Sequence, residues 1–347
     1  MKKLRFLTLA LLLVGTALTA QDIHFSQFYM SPLTLNPAMT GVMNCDVRLT
    51  ANYRNQWASV LKSNAYNTYS ASYDQRFTAG RYDYWGVGAT FVGDRAGTSD
   101  FSTLQGLISG SYSKKMGGYR DRAHYLVVGA NVGVGQRSVD FLALQYGNQH
   151  DGEGGFDPNL PTGENFDRNS VLWGDVSAGL LWFTTLDKNN SIYGGAAFSH
   201  LNQPDIAFDE DQEVTLYAKY TAHAGGDFMI GRRWGLSPNL VTFFQGPSFE
   251  LNTGTNIKFL LGDTRFNYQA FQVGAYVRLS NNFESSVTTD AIITALRFDY
   301  NEFALGFSYD INISSLRPAS NGVGGFEFAL QYKICGPERR GTYCPEF

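Results

Sequence analysis

Val47–Trp57 reads VRLTANYRNQW, and its alternation decides the fold. The odd positions are Val47, Leu49, Ala51, Tyr53, Asn55 and Trp57; the even ones are Arg48, Thr50, Asn52, Arg54 and Gln56. One face is apolar with aromatics toward one end, and the other is wholly polar. Side chains alternate faces along a strand, so this pattern suits a wall between lipid and water. It recurs. In Tyr66–Arg76, Tyr69, Ala71 and Tyr73 oppose Thr68, Ser70, Ser72, Asp74 and Arg76. In Phe249–Phe259, Phe249, Leu251, Ile257 and Phe259 oppose Glu250, Asn252, Asn256 and Lys258. Phe303–Ile311 and Phe326–Ile334 repeat the arrangement. A soluble β-sandwich has the same period, but its strands run to about 5–6 residues. These run to about ten, the length a tilted strand needs to cross a membrane.

Composition agrees. The chain has 20 Tyr, 26 Phe and 37 Gly with only 17% charged residues, which fits a transmembrane barrel better than a secreted soluble enzyme. The basic MKKLR, the apolar Phe6–Leu18 and the small Thr19 and Ala20 follow the order of a secretory signal peptide, with cleavage expected after Ala20. Loss of Lys2, Lys3 and Arg5 takes the net charge from −4 to −7, which argues against nucleic acid as a partner.

Extending the reading along the chain gives strands near 47–57, 66–76, 84–93, 101–115, 122–136, 171–184, 190–201, 214–230, 234–245, 249–261, 264–278, 283–297, 301–311 and 324–334. That is about fourteen, an even number, as single-chain bacterial barrels have. Links after even strands are short (TAGRYDY, GGYRD, TLDKNN, GRR, GD, DY), and several links after odd strands are long, although QGPS and LSNNF are not. Short periplasmic turns and long outer loops place both termini in the periplasm. The expected fold is therefore all-β: a transmembrane antiparallel barrel of about 14 strands in the bacterial outer membrane, contacting its lipid. Expected boundaries are 1–20 signal peptide, 21–46 periplasmic N-terminal plug or brace segment, 47–335 barrel, and 336–347 periplasmic C-terminal tail.

Little in the chain suggests catalysis. The five histidines, His24, His124, His150, His200 and His223, form no close pair of the kind that binds metal and read as rim or lumen residues. Ser199 and His200 are neighbours on an expected strand and so should face opposite ways. The loop His150–Asp167 carries Asp151, Glu153, Asp157, Glu164 and Asp167 but matches no calcium-loop pattern. No enzyme activity, cofactor or metal is expected. Cys45 precedes the first strand while Cys335 and Cys344 follow the last, so all three should lie at one rim. An oxidising compartment favours one disulfide: Cys335–Cys344, or Cys45 with either. Arg48, Arg54, Asp74, Arg76 and Glu327 are lumen candidates on strands made adjacent by closure, where opposite charges would brace a filled interior or line a pore.

The run FSQFYMSPLTLNPAMTG through NYRNQW, with GDRAGTSDFSTLQ, GQRSVDFLALQYGNQHDG, FDPNLPTGE, FSHLNQPDIAF, FEFALQYKI and CPEF, resembles the PorP/SprF-like outer-membrane proteins of the type IX secretion system. The resemblance covers nearly all of the chain after the leader. It implies a non-enzymatic barrel that works with the secretion and gliding machinery, helping to export a cargo such as a gliding adhesin and hold it at the surface through the cargo's C-terminal domain. The NPA of Asn36–Ala38 also occurs in fatty-acid transporter barrels, which keeps open a channel for hydrophobic solutes with an N-terminal hatch.

Eight strands can be filled by side chains and sixteen leave a water channel. At about fourteen, something else should occupy or gate the lumen, and Gln21–Gly41 is the nearest segment. Phe25, Phe28 and Tyr29 would anchor it against a wall, Pro32 and Pro37 would keep it out of the sheet, and Asn36 and Pro37 belong to its most specific motif.

Overall fold

The computed structural model describes residues 22–118, 122–150, 155–164, 167–187, 189–264, 267–281 and 286–336. Its strands are β1 Val47–Gln56, β2 Tyr66–Ala79, β3 Asp83–Ala96, β4 Phe101–Gly117, β5 Ala123–Ser138, β6 Ser170–Thr185, β7 Ser191–Ser199, β8 Lys219–Met229, β9 Trp234–Gln245, β10 Ser248–Thr264, β11 Asn267–Asn281, β12 Val287–Tyr300, β13 Phe303–Asn312 and β14 Val323–Ile334. Each pairs antiparallel with its chain neighbours, and β1 pairs with β14, so the sheet closes into a 14-stranded barrel. Among the described residues no helix is long and apolar enough to cross a membrane.

The alternation that predicts the strands also fixes their register. Leu49 and Tyr53 of β1 are exposed, while Arg48, Thr50, Asn52 and Arg54 are buried in the lumen. This inverts the soluble pattern, as a lipid-facing outer wall requires. At the seam Arg54 lies directly opposite Glu327, and across β1–β2 Arg48 lies opposite Asp74. A slip of one residue would turn every one of these charges toward lipid.

Many strand boundaries differ from the sequence reading by one to three residues, and the differences at β8, β11 and β12 bear on the topology. Residues 214–218 do not begin β8: Ile206 N donates to Val214 O at 2.9 Å and Leu216 N to Pro204 O at 2.9 Å, so this stretch pairs within its own long loop. Thr264, expected at the start of β11, ends β10. β12 starts at Val287, and residues 283–285 lie outside the described residues.

Residues 22–46 run through the lumen. They form three short helical turns, Phe28–Met30, Pro32–Leu35 and Pro37–Met39. Pro32 and Pro37 open the second and third, where a missing N–H costs nothing. Asn36 caps the third turn by accepting from Ala38 N at 2.9 Å. At one end Asp22 N donates to Gln245 Oε1 at 2.7 Å, at the long-loop end of β9. At the other, Asp46 N donates to Ile334 O at 2.9 Å, at the short-turn end of β14. The segment thus spans the barrel's length before joining β1, and the two ends of the described chain, Asp22 and Gly336, lie toward opposite rims. The expected periplasmic placement of both termini falls on residues 1–21 and 337–347, which lie outside the described residues.

Packing explains part of the glycine content. A Cβ on Gly129 of β5 would stand 2.6 Å from the Ala38 backbone, and one on Gly86 of β3 would stand 2.2 Å from Thr40 O. Both positions let the segment's backbone lie directly on the wall. Gly129→Ala is expected to destabilise the barrel by about 1–3 kcal/mol through this overpacking. Gly106→Ala, with nothing within 4 Å of its Cβ, is expected to leave stability unchanged. Thermal unfolding of the two purified variants, followed by heat-dependent gel mobility, checks the difference.

Candidate functional site: the lumen and its occupant

Residues 22–46 meet the wall through two charged clusters. The first is built on β13, β14 and β1. Glu327 accepts from Ser26 N at 2.6 Å and Gln27 N at 2.9 Å. Asp310 accepts from Ser26 Oγ at 3.0 Å. Arg54 donates to His24 O at 2.6 Å and to Asp310 at 3.2 Å. Its Nε lies 3.2 Å from Glu327 Oε1, an ion pair by distance rather than a hydrogen bond. Arg278 of β11 adds Asp310 at 2.8 Å, Glu250 at 3.6 Å and the Ser26 hydroxyl.

The second cluster sits at β1–β2, nearer the short turns. Arg48 and Asp74 pair at 2.8 Å with neither side chain exposed. Arg48 also donates to Met39 O at 3.0 Å, and Asp74 accepts from Gly41 N at 2.7 Å. Arg76 donates to Met43 O at 2.6 Å and lies over the Tyr84 ring at 4.6 Å. The five lumen candidates, Arg48, Arg54, Asp74, Arg76 and Glu327, are therefore all buried and all touch residues 22–46.

Phe25, Phe28, Tyr29, Asn36 and Pro37 are buried as well. Phe28, Tyr29 and Met39 join one apolar cluster with Tyr125, Phe183 and Tyr276 of the wall. Tyr29 stacks on Tyr276 at 5.7 Å. Asn36 Nδ2 donates to Leu180 O at 3.1 Å and Ala196 O at 3.2 Å and lies 2.9 Å from His223 Nε2. This inner apolar wall on β5–β7, β9, β11 and β12 was missed by sequence reading. Its only signal is a strand such as AHYLVVGANVGVG, apolar on both faces.

Of the three cysteines, the structure pairs Cys45 with Cys335, across 290 residues and at the β1–β14 seam. Cys344 lies outside the described residues, as do 151–154 and 165–166 of the acidic loop. Among the described residues no group of three His, Cys, Asp or Glu is placed to hold a metal ion.

A third contact closes the far end of the segment. β7 stops at Ser199, and His200 takes a left-handed conformation with φ 55°. Alternation therefore fails at this step, and Ser199 and His200 both border the same cavity. His200 Nδ1 lies 2.9 Å from Asp175 and Nε2 lies 2.6 Å from Asp22. With both ring nitrogens engaged by carboxylates, His200 has no lone pair to offer Ser199. Burial alone would lower the His200 pKa, but hydrogen bonds and charge from Asp175 and Asp22 raise it to about 9. Burial alone would raise Asp22, yet Lys219 and His200 hold it well below the usual carboxylate range.

Beside this latch lies a cavity of ≈ 450 Å³, bounded on one side by Ile23, Phe25, Leu33 and Leu35 and on the other by the inner faces of β3, β4 and β5.

These features define an outer-membrane β-barrel whose lumen holds residues 22–46 of its own chain. Residues 17–332 match the type IX secretion system membrane protein PorP/SprF, and the chain belongs to that family of secretion-system components. No curated protein matches the sequence. Solved barrels of related shape include CdiB from Escherichia coli, 9% identical with a TM-score of 0.45, matching 82% of this chain. The chain spans 63% of that protein's length. The Ralstonia pickettii toluene transporter TbuX is 11% identical with a TM-score of 0.44, over 88% of this chain and 93% of its own.

The raised His200 pKa and lowered Asp22 pKa set a pH window. Because His200 is raised above its ordinary 6.5, its stabilisation is complete below that value and lost as pH rises through about 9. Because Asp22 is lowered, its contribution is present above about pH 4 and lost as pH falls further. Amide exchange at Asp22–Ser26 is expected to accelerate, relative to amides at Met39–Val42, as pH rises through about 9 in the wild type. His200→Gln should abolish the difference. Separately, Glu327→Gln should cost about 3 kcal/mol, because it leaves Arg54 and the Ser26 and Gln27 amides short of buried charge. Chemical denaturation of the variant barrel checks that figure.

Proposed function

We propose that this barrel is a non-enzymatic member of the type IX secretion apparatus that assists export and surface attachment of a cargo protein, such as a gliding adhesin, by binding its C-terminal domain at the long-loop rim. One observation carries the reading. Residues 22–46 cross the lumen and are tied to both charged clusters, while the ≈ 450 Å³ cavity that remains lies among the long-loop ends of the strands. A barrel occupied in this way offers a rim and a recess rather than an open pore. Family membership supports partners in the secretion machinery.

In this reading residues 1–20 are a signal peptide, the short turns and the C-terminal tail face the periplasm, and residues 21–46 serve as a plug or brace. The second reading, a channel for hydrophobic solutes with an N-terminal hatch, draws on the apolar side of the cavity. Its other side sets Thr103, Gln105, Asn131 and Arg137 among Val92, Phe101 and Leu107, and these polar groups favour the docking reading.

A photo-crosslinking residue at Leu142, which is 95% exposed in the β5–β6 loop, should capture a cargo C-terminal domain in native cells. The same residue at Tyr82, in the β2–β3 turn, should not. Absence of any cargo or secretion component from long-loop positions would sink the reading. Uptake of a hydrophobic dye by proteoliposomes of the wild type would move support to the channel.

A further inference from the structure

The cavity has a shape and a charge that docking at a rim does not use. On β4 its wall is made by Phe101, Thr103, Gln105 and Leu107, every second residue in succession. On β5 it reaches from Asn131 to Arg137. Six residues of strand cover about 20 Å, so the cavity is a shaft running from the rim to mid-lumen. Its sides differ in emphasis: the segment presents mainly Ile23, Phe25, Leu33 and Leu35, with Asp22, His24 and Thr34, whereas the barrel presents Thr90, Thr103, Gln105 and Asn131 between the apolar Val92, Phe101 and Leu107.

Among the described residues Arg137 is the one cation of the shaft without a carboxylate partner. Asp22 and Asp175 are held by His200, Lys219 lies 3.9 Å from Asp22, and Asp94 accepts from Thr68 at 2.6 Å. Arg137, near the rim, forms no ion pair among the described residues. Its guanidinium carbon lies 5.5 Å from the Phe101 ring and 5.7 Å from the Trp173 ring, and Nε reaches Thr103 Oγ1 at 3.4 Å. Aromatic rings on its flanks hold the planar fork in place and leave its remaining N–H groups for a planar anion. Deeper in the shaft, Asn131 is only 7% exposed and its Oδ1 has no hydrogen-bond partner. A buried amide acceptor without a partner is uncommon in folded proteins.

We propose that this shaft receives an extended peptide of about six residues bearing a carboxylate, with Arg137 binding the carboxylate and Asn131 a backbone N–H. The inference rests on the docking reading above and names the part of the barrel that the partner enters. A fatty acid shares the carboxylate and the apolar body, but it would leave Asn131 and the hydroxyl side of the shaft unpaired. A peptide has N–H and C=O groups for that side and apolar side chains for the other.

The full-length barrel in nanodiscs tests this with a dansyl-labelled, C-terminally amidated peptide that ends in six residues of alternating valine and threonine, preceded at the rim end by one glutamate (the acid), and with its glutamine counterpart (the amide). The acid is expected to bind at least about tenfold more tightly than the amide, as for loss of one charge-assisted pair. Arg137→Gln should erase that difference, and Arg137→Lys should restore part of it. Leu107→Trp, which fills the shaft, should remove binding of both. Equal binding of acid and amide overturns the proposal, as does an unchanged Arg137→Gln variant or binding of oleate without binding of either peptide. In native cells, cargo capture at Leu142 that survives both Arg137→Gln and Leu107→Trp overturns the shaft alone. No capture by the wild type overturns the docking reading instead.

Discussion

Glu327 is a carboxylate inside a membrane barrel, and it is stable there because the backbone amides of Ser26 and Gln27 and the guanidinium of Arg54 meet it. A buried charge without such partners costs several kcal/mol, and an irregular backbone segment at membrane depth is equally costly unless protein satisfies it. The two needs cancel. Glu327 and Asp74 take the segment's N–H groups, while Arg48, Arg54 and Arg76 take its carbonyls. The polar lumen of β1, β2 and β14 and the helical turns of residues 22–46 satisfy each other's buried polar groups. The register of the seam and the path of the segment follow from that mutual requirement.

The segment is held by different forces along its length. At the short-turn end the Cys45–Cys335 disulfide joins it covalently to the strand that closes the barrel. In the middle, buried aromatics supply apolar contact with β5, β6 and β11, and Asn36 adds fixed hydrogen bonds. At the Asp22 end, contact depends on an imidazole between two carboxylates. Local opening concentrates where buried apolar contacts are few and hydrogen bonds are near solvent. By that criterion the order of release runs from Asp22 inward and stops before Cys45.

Much of the fold is legible because the lipid and lumen faces of certain strands differ so sharply. In β1, β2 and β14 every inward residue from Arg48 to Arg54, from Thr68 to Arg76 and at Glu327 and Gln331 is polar, so parity alone assigns the faces. Closure then puts Arg54 opposite Glu327 without any need for coordinates. In β5 parity gives no answer, because Tyr125 and Val127 point inward while Leu126 and Val128 point outward. The apolar half of the lumen is hidden for that reason. Residues 214–218 mislead in another way: they alternate like a strand, but their backbone partners are Pro204 and Ile206, a local pairing that side-chain pattern does not record. The His200 latch is hidden by sequence distance, since its carboxylates lie 25 and 178 residues away, and by a left-handed residue that breaks the alternation used to separate Ser199 from His200.

A barrel of fourteen strands is too wide for its own side chains to fill, and here the filling is one-sided. The segment lies against β1, β2, β5–β9, β11, β13 and β14 and against the short-turn ends of β3 and β4, and leaves the shaft along the long-loop ends of β3, β4 and β5. One wall of that shaft is therefore the segment itself. Ile23 and Phe25, which line it, stand between Asp22 at the latch and Ser26 at the Glu327 cluster. Anything that packs against Ile23 and Phe25 in their present positions favours the closed latch, and a closed latch keeps that wall in place. By linkage the two effects must be equal in free energy. The shaft and the least firmly held part of the segment thus form one coupled unit. Were the shaft occupied from the rim, linkage would carry the effect to residues 22–26 while the end at Cys45 stays covalently fixed.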